Sequence, residues 1–334
     1  MNDVSSIFCL SRCFFDDRND DTLSNIKKVR VIYPRSEIIL STWSLGLDEE
    51  KRIIQKLKEI GVKVIFNKDP GPLIFRDGSY KWVTNINRMI VSTKNGVEAA
   101  SRAYVAKLRT DSFFINDNLK SFFLKRELIG SKYNRDREFS LFSERIINCN
   151  LFARHSRSYR PFDFHPGDIM LLGRKDDVLS YFDVPLADES IFDVIFNRSI
   201  FSLMSLVPEQ YLWVSYIKKM NTTFNYKGNK EKSKEITFIS EKYYINNFIP
   251  LSCQQLGFFW PKYGYKYKNK GDGSIYYYSD WVRINEFHNN HRTSPYSFWF
   301  DFQIISIKWI LFFLYLPLRY RFIRRILMNL KSRV

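Results

Sequence analysis

The chain contains few of the residues that build disulfide frameworks or metal clusters. Its 334 residues include four cysteines and four histidines. Cys9 and Cys13 are separated by three residues, a spacing that fits no zinc template and has no histidine nearby. Cys149 and Cys253 are isolated in the sequence. We therefore interpret all four as free thiols in a reducing compartment, which excludes a disulfide-stabilised secreted domain.

No segment near the start of the sequence resembles a signal peptide. The apolar run at residues 7–10 is shorter than the hydrophobic region of such a peptide, which has at least about seven residues. A short apolar run of this kind is typical of a buried strand. We therefore expect residues 7–10 to form the first strand of a body that stays in the cytoplasm.

Basic residues outnumber acidic ones, but the body of the chain has no compact basic block. The formal charge is +17, from 52 Lys and Arg against 35 Asp and Glu. Seven of the basic residues and none of the acidic ones lie in residues 302–334. The remaining excess is spread over about 300 residues, which argues against a nucleic-acid-binding groove. A charge concentrated in one segment favours an anionic membrane surface as its partner.

Aromatic residues are abundant and make up 17% of the chain. Most are expected in the core, because burial of a large apolar side chain contributes roughly 1.5–3 kcal/mol. Residues 243–296 interleave aromatic and basic side chains, as some nucleic-acid-binding surfaces do. The turn sequence Gly271-Asp272-Gly273 favours instead a hairpin whose flanking tyrosines pair across two strands.

The first third of the chain alternates between strand and helix patterns. Such alternation predicts a parallel sheet with right-handed crossovers. The predicted strands are residues 7–10, 37–41 and 62–66, and the predicted helices are residues 20–31 and 48–60. Further on, we predict strands at 104–109, 145–147 and 168–172, helices near 87–103, 119–129, 176–182 and 209–220, and a loop or solvated helix face at 227–242.

The segment from Thr84 to Asp111 is the most informative part of the sequence. It predicts a polar loop, a helix and a short strand that ends at an acidic residue. In α/β proteins, ligands bind outside the carboxyl ends of the strands. Lys107 and Arg109 are two residues apart on this strand, so they share one face and favour an anionic ligand unless the strand is an edge strand. A structural ion pair between Arg109 and Asp111 is the alternative.

A series of phrases, in order along residues 7–225, resembles the WavE lipopolysaccharide-synthesis family of bacterial polysaccharide-assembly proteins. Each phrase is weak alone, and the ordered set is specific. The phrases are Thr22-Leu23-Ser24-x-Ile26, Tyr33-Pro34-x-x-Glu37-Ile38-Ile39-Leu40-Ser41-Thr42-Trp43, Lys68-Asp69-Pro70-Gly71, Asn85-x-Asn87-Arg88-x-Ile90-x-Ser92-Thr93-x-x-Gly96, Lys107-Leu108-Arg109-Thr110-Asp111, Phe164-His165-Pro166-Gly167-Asp168 with Gly173, and Pro208-Glu209-Gln210-Tyr211-Leu212-Trp213.

This resemblance implies a GT-A-type glycosyltransferase, with a Rossmann-like α/β domain and a mostly parallel sheet that binds a nucleotide sugar. We assign residues 1–225 to that domain, residues 226–297 to an aromatic-rich extension packed on it, and residues 298–334 to a membrane-associating tail. GT-A enzymes hold Mg²⁺ or Mn²⁺ with an Asp-x-Asp motif. Here that position reads Arg109-Thr110-Asp111. Asp111 is the one metal-ligand candidate, and Arg109 is placed to contact the donor diphosphate directly.

The same resemblance and the local patterns together suggest further site residues. Asn87 and Arg88 begin a helix, where backbone N–H groups favour anions, and are assigned to donor binding; a plain helix cap is the alternative. Asp168 and His165 are assigned to acceptor binding; the alternatives are a structural cap for Asp168 and an ordinary loop histidine for His165. Asp168 and Asp111 are also catalytic candidates. Glu209 begins a helix and is the candidate general base. The alternative is that its negative charge only complements the helix dipole.

The tail is expected to lie in the membrane interface. Residues 302–318 are apolar, but as a helix they extend about 25 Å, less than the roughly 30 Å of a hydrocarbon core. Lys308 interrupts this run, and Pro317 closes it. Basic and apolar residues then alternate in a pattern typical of an interfacial helix. A buried core helix and a true membrane span are the alternatives.

The sequence therefore predicts a glycosyltransferase attached to the inner face of the plasma membrane. It would move a sugar from a nucleotide-sugar donor to a saccharide acceptor, lipid-linked in our reading, during synthesis of lipopolysaccharide or another surface polysaccharide. No nucleic-acid partner is expected. The alternatives are another nucleotide-dependent transferase on the same fold, a non-catalytic membrane-bound member of the assembly machinery, and an RNA-binding module.

Overall fold

A computed structural model describes residues 4–9, 22–77, 80–197, 199–262, 274–289 and 295–331. The strands are β1 Val4–Cys9, β2 Glu37–Trp43, β3 Val62–Asn67, β4 Leu73–Asp77, β5 Tyr80–Thr84, β6 Tyr104–Arg109, β7 Phe113–Phe114, β8 Ile146–Cys149, β9 Leu171–Arg174, β10 Phe192–Asn197, β11 Ile200–Met204, β12 Phe248–Leu251 and β13 Phe258–Phe259. The helices are α1 Thr22–Ile32, α2 Leu47–Lys58, α3 Ile86–Glu98, α4 Asn118–Lys132, α5 Lys175–Phe182, α6 Pro208–Met220, α7 Lys234–Asn247, α8 Cys253–Leu256, α9 Tyr278–Asn289, α10 Phe298–Tyr315 and α11 Arg321–Lys331.

A seven-stranded sheet in the order β12-β8-β9-β6-β1-β2-β3 forms the centre of the fold. Strands β1, β2, β3 and β6 pair in parallel, as the alternation of strands and helices predicts. Strand β9 runs antiparallel to both of its neighbours, so the sheet is mixed: four of its six strand pairings are parallel and two are antiparallel. The reason lies in residues 150–170, which contain no helix and so lack the crossover that a parallel return requires.

Most of the predicted elements are present, with shifts at their ends. Strand β6 has the predicted bounds, and α1, α2 and α6 begin or end within two residues of their predictions. The prediction for 168–172 is wrong at its start, because β9 begins at Leu171 and leaves Asp168 in the preceding loop. The prediction for 227–242 is correct for residues 227–233, which form a loop, and wrong for a solvated helix face in the rest. Helix α7 begins at Lys234 and buries Glu241.

The extension at residues 226–297 is built into the sheet. Strand β12 pairs in parallel with β8, so this part of the chain supplies an edge strand rather than only a covering layer. The predicted turn at residues 271–273 lies outside the described residues. Cys149 and Cys253 are free thiols, with their Sγ atoms 3.7 Å apart, as expected for this pair.

Aromatic side chains fill the core beneath the central sheet. Phe142 lies at the centre of one cluster, stacked on Tyr216 with ring centroids 5.2 Å apart and packed edge-on against Phe248 at 5.7 Å. Trp213 and Tyr181 complete the cluster and are fully buried. The expectation that most aromatic residues serve the core is confirmed at this cluster. It packs α5 and α6 against the sheet behind the site described next.

Candidate active site

A cavity of about 340 Å³ opens where β6 ends and where α3 and α6 begin. The carboxyl end of a strand in the parallel part of the sheet is the position at which the segment Thr84–Asp111 predicts ligand binding. Loops on both sides complete the cavity. The residues that line it are Thr84, Asn85, Ile86, Met89, Ser92, Lys107, Arg109, Phe152, Asp168, Ile169, Pro208, Glu209, Trp260 and Lys262.

Lys107 and Asp168 form a buried ion pair at the base of the cavity. The Lys107 Nζ atom donates to Asp168 Oδ2 at 3.0 Å and also to the Asp168 carbonyl oxygen. The two side chains are only 2% and 7% exposed. A lysine in the interior of a strand needs a compensating anion, because an unpaired buried charge is strongly unfavourable. The pair therefore fixes the loop before β9 against β6.

Gly167 explains why Asp168 can reach this position. Its backbone φ is +77°, in the left-handed region that favours glycine. A Cβ atom here would lie 3.0 Å from the Ala153 backbone nitrogen and 3.1 Å from the Leu151 carbonyl oxygen. The loop thus packs directly against the backbone of residues 151–153, and it delivers Asp168 to Lys107.

Glu209 lies in the first turn of α6 and faces the same cavity. Burial and then the negative charge of Asp168 raise its pKa to about 7. A carboxyl group with such a pKa can both accept and release a proton near neutral pH, which is what a general base requires. Environment and position together make Glu209 the acid–base candidate of the site.

His165 lies behind Glu209 rather than in the cavity wall. Its Nε2 atom is 3.6 Å from Glu209 Oε2, too far for a good hydrogen bond. Burial and the nearby charge of Arg154 lower the pKa of His165 to about 3. The imidazole is therefore neutral at physiological pH and packs edge-on near Phe162, with ring centroids 5.9 Å apart.

Arg109 is held between a carboxylate and an aromatic ring. Its Nε and Nη2 atoms donate to the two carboxylate oxygens of Asp111, each at 2.8 Å. Its guanidinium carbon lies 4.7 Å from the ring centroid of Trp260. The alternative of an ion pair at the strand end is confirmed for these two residues. Arg109 lines the cavity, whereas Asp111 supports it from outside the lining.

Asn87 and Arg88 also lie outside the cavity lining. The Asn87 side chain donates to the Ala187 carbonyl oxygen at 2.9 Å and accepts from the Ala187 amide at 2.8 Å. Arg88 forms a two-pronged ion pair with Asp69, at 2.8 and 2.6 Å. These contacts tie α3 to neighbouring loops. Asn85, just before α3, and Ile86 and Met89 of its first turn line the cavity instead.

The carboxylates of the site do not fit a bound divalent cation. Both oxygens of Asp111 accept from Arg109, and Asp168 pairs with Lys107. Within the described part of the chain, no three His, Cys, Asp or Glu side chains cluster as metal ligands. Mg²⁺ and Mn²⁺ prefer several oxygen ligands, and the cations Lys107 and Arg109 occupy the place where those ligands would lie.

Several cavity residues were not identified as site residues from the sequence, among them Phe152, Trp260 and Lys262. Phe152 has a φ of +61°, a conformation that is rare for a bulky residue and is often found at functional sites. Trp260 is almost fully buried, yet one surface of it borders the cavity. The sequence Trp260-Pro261-Lys262, an aromatic and a cation beside a proline, is the signal that could have indicated Trp260 and Lys262.

Comparison with models of protein families identifies the family of this chain. The family model described as WavE lipopolysaccharide synthesis matches residues 16–311, which is nearly the entire chain. The chain belongs to this family. The match extends well beyond residue 225, where the recognisable phrases end, and includes β12, α9 and most of α10. Among curated proteins, no significant match is found.

Solved structures also match this chain, at low identity and with TM-scores below 0.5. A cytidylyltransferase from Leptospira borgpetersenii is 8% identical, with 93% of this chain and 96% of that chain covered and a TM-score of 0.34. TarS 1–349 from S. aureus is 12% identical, with 91% and 70% covered and a TM-score of 0.30. An active-site mutant of LgtC is 11% identical, with 75% and 73% covered and a TM-score of 0.34.

Proposed function

We propose that the chain is a GT-A-type glycosyltransferase of surface-polysaccharide synthesis. It takes a nucleotide sugar as donor and a saccharide, presented on a lipid, as acceptor. The observation that carries the proposal is the meeting in one cavity of a proton-accepting carboxylate, Glu209, with the cations Lys107 and Arg109. Membership of a lipopolysaccharide-synthesis family supports sugar transfer as the chemistry.

Each group has a distinct task in the proposed reaction. An acceptor hydroxyl attacks the anomeric carbon of the donor sugar, and its proton passes to the Glu209 carboxylate. The bond between the anomeric carbon and the diphosphate oxygen breaks at the same centre, and the negative charge develops on the diphosphate. Arg109, oriented by Asp111, offsets that charge with its planar fork of donors.

The aromatic wall supplies the remaining donor contacts. Trp260 borders the cavity beside Arg109, and Lys262 follows at the rim. An aromatic ring next to a cation suits a nucleobase and its phosphates. In this proposal, fixed side-chain cations take the place that a metal ion has in enzymes with two motif carboxylates. Asp168 holds Lys107 in the cavity and contacts the acceptor side.

A thermal-shift screen tests the proposal directly. The full chain is heated with nucleoside diphosphates and nucleotide sugars, with and without Mn²⁺. A ligand at 100 times its dissociation constant stabilises the folded state by roughly 2.7 kcal/mol. We expect at least one diphosphate to stabilise the wild-type chain and Arg109→Gln to lose this effect, whereas Arg102→Gln, at an exposed arginine, keeps it.

The outcomes separate the competing functions. Stabilisation by a nucleotide sugar together with release of its diphosphate in the presence of saccharide acceptors supports the transferase. Binding without release under any acceptor supports a non-catalytic member of the assembly machinery. No response to any nucleotide, with or without Mn²⁺, would sink the proposal.

A further inference from the structure

The tail rests on two hairpins of the body. Helix α10 lies on the hairpin β10–β11, where Phe312 meets Phe196 with ring centroids 5.8 Å apart and Tyr315 meets Phe201 at 6.4 Å. The guanidinium of Arg319, just after α10, lies 4.2 Å from the Phe196 ring centroid. One side of α10 is therefore in contact with protein along its C-terminal half.

Helix α11 is attached to the other hairpin, β4–β5, by a cluster of arginines around Asp77. Arg321 and Arg325 each donate to Asp77 Oδ1 at 2.8 Å. Arg324 adds a third cation, with its Nη2 atom 3.7 Å from Asp77 Oδ2. Asp77 is largely buried, and both strong contacts are charge-assisted. Three cations against one carboxylate leave a surplus of positive charge on α11.

Both hairpins are connected along the chain to residues of the active-site cavity. Phe75 of β4 packs against Phe192 of β10, with ring centroids 5.5 Å apart, so the hairpins touch each other. Strand β5 ends at the cavity-lining Thr84, and the chain continues through Asn85 into α3. Strand β11 ends four residues before Pro208, which precedes Glu209 in the cavity. The two hairpins that contact the tail are therefore connected, within a few residues of chain, to residues that line the cavity.

The outer side of the tail is apolar and exposed. A helical stripe along α10 contains large side chains that are between 53% and 75% exposed: Phe298, Phe302, Ile305, Trp309 and Phe313. On β5, Trp82 is 40% exposed and pairs with Phe75, so it shares one face of the hairpin with Asp77. A strand rises roughly 3.3 Å per residue, so Trp82 lies within about 7 Å of the cavity-lining Thr84 along the chain.

We propose that the outer side of α10, α11 and the strand β5 together form one docking face for an anionic bilayer. This face holds the cavity at the membrane surface, so that the acceptor is a lipid-linked saccharide that enters from the bilayer. The inference rests on the proposed transferase function, because it names the acceptor class of that site. The Asp77 cluster is the joint that keeps the hairpin β4–β5 aligned with the tail.

Attachment of this face to the surface of a bilayer agrees with the structure better than a transmembrane position of α10 alone does. The segment Phe298–Arg319 is long and apolar enough to cross a membrane by length and composition, and 6% of its most apolar window is buried. However, its C-terminal half is packed on β10–β11, and a helix surrounded by lipid could not keep that contact. An apolar stripe followed by an arginine-rich helix is the arrangement of an interfacial segment, and arginine matches lipid phosphate.

Vesicle binding with hydrogen–deuterium exchange tests the face. The full chain is mixed with vesicles of phosphatidylethanolamine and phosphatidylglycerol at 3:1, and with pure phosphatidylcholine vesicles as the neutral control. We expect binding to the anionic vesicles and slower exchange in both residues 298–331 and residues 80–84. The change Trp82→Ser should weaken binding roughly tenfold, because it removes a large apolar contact. Leu47→Ser, at a more exposed site, should leave binding unchanged.

A second variant isolates the joint. Asp77→Asn removes the charge that holds α11 to the hairpin and leaves the apolar stripe intact. We expect this variant to bind anionic vesicles while the vesicle-dependent protection of residues 80–84 is lost. Protection that persists would overturn the role of Asp77.

Two results would overturn the docking face itself. One is wild-type affinity of the Trp82→Ser chain for anionic vesicles. The other is the absence of any binding of the wild-type chain to the vesicles. In the second case, nucleotide-dependent thermal stabilisation would still be measured, so failure of the docking face and failure of the transferase proposal are distinguishable.

Discussion

Replacing Glu209 with glutamine should make the protein more stable and less active, and the two effects should depend on pH. The pKa of Glu209 is raised from 4.5 to about 7, first by burial and then by Asp168. The folded protein therefore binds this proton more tightly than the unfolded chain does. Stability from this group is complete below about pH 4.5 and is lost as the pH rises to about 7.

The size of the loss follows from the difference between the two pKa values. Ionising Glu209 in the folded state costs up to roughly 3 kcal/mol at pH values above 7. Glutamine has nearly the same shape and stays neutral, so Glu209→Gln avoids this cost. For a chain of this length, about 3 kcal/mol corresponds to a rise of about 4 °C in Tm. We expect that rise at pH 8 and little change at pH 5.

The same substitution removes the proposed base. Loss of a general base typically lowers turnover by 10²–10⁴-fold, and donor affinity should change far less. The wild-type enzyme should also lose turnover as the pH falls below about 7, because Glu209 then carries a proton. Thermal unfolding at the two pH values, together with donor titration and turnover, measures each effect separately. Glu235→Gln, at an exposed acid in the first turn of α7, is the matched control.

Two results would refute this reasoning in different ways. A Glu209→Gln chain that gains no stability at pH 8 relative to pH 5 would show that the carboxyl group is not destabilised by its surroundings. A chain that gains stability as expected but keeps wild-type turnover would show that Glu209 is buried for another reason and is not the base.

Three further predictions concern the donor side of the cavity. Asp111→Ala should abolish transfer and leave the fold intact, because Arg109 loses the carboxylate that orients it; wild-type turnover of the purified variant would contradict this. Trp260→Ala should weaken donor binding by roughly tenfold or more, as loss of a stacking ring does, and a titration with unchanged affinity would remove Trp260 from the donor site. Chelation with EDTA should leave donor affinity unchanged while raised salt lowers it, and a strict requirement for Mn²⁺ in the binding assay would show that a metal acts here after all.

Local patterns predicted the elements that position the site, because those patterns are short and complete. The bounds of strand β6, Tyr104–Arg109, were predicted residue by residue, although Lys107 interrupts its apolar interior. Helix α6 begins with Pro208 at its first position, a standard start signal, and this places Glu209 in the cavity. Four of the predicted site residues, Lys107, Arg109, Asp168 and Glu209, line one cavity.

The remaining parts of the site depend on contacts between distant residues. Trp260 reaches Arg109 from a segment about 150 residues away, and no local pattern signals that approach. Asp168 reaches Lys107 because Gly167 adopts a positive φ against the backbone of residues 151–153. The sequence alone suggested a strand there. The burial of α7 was missed because its charged residues include Glu241, which is buried through ion pairing with Arg157.

In the proposed function, Arg109 takes the position of the first carboxylate of the metal-binding motif that the family resemblance implies. A divalent ion supplies positive charge to a diphosphate only if carboxylates hold it in place. In this proposal, Arg109 supplies its charge from the strand itself, and a single acid, Asp111, sets its direction. Lys107 is balanced by Asp168 in the same way, two residues earlier on the same face of β6. The strand therefore presents two fixed cations to the cavity, each aligned by one carboxylate, and Glu209 is left as the acid whose pKa suits proton transfer.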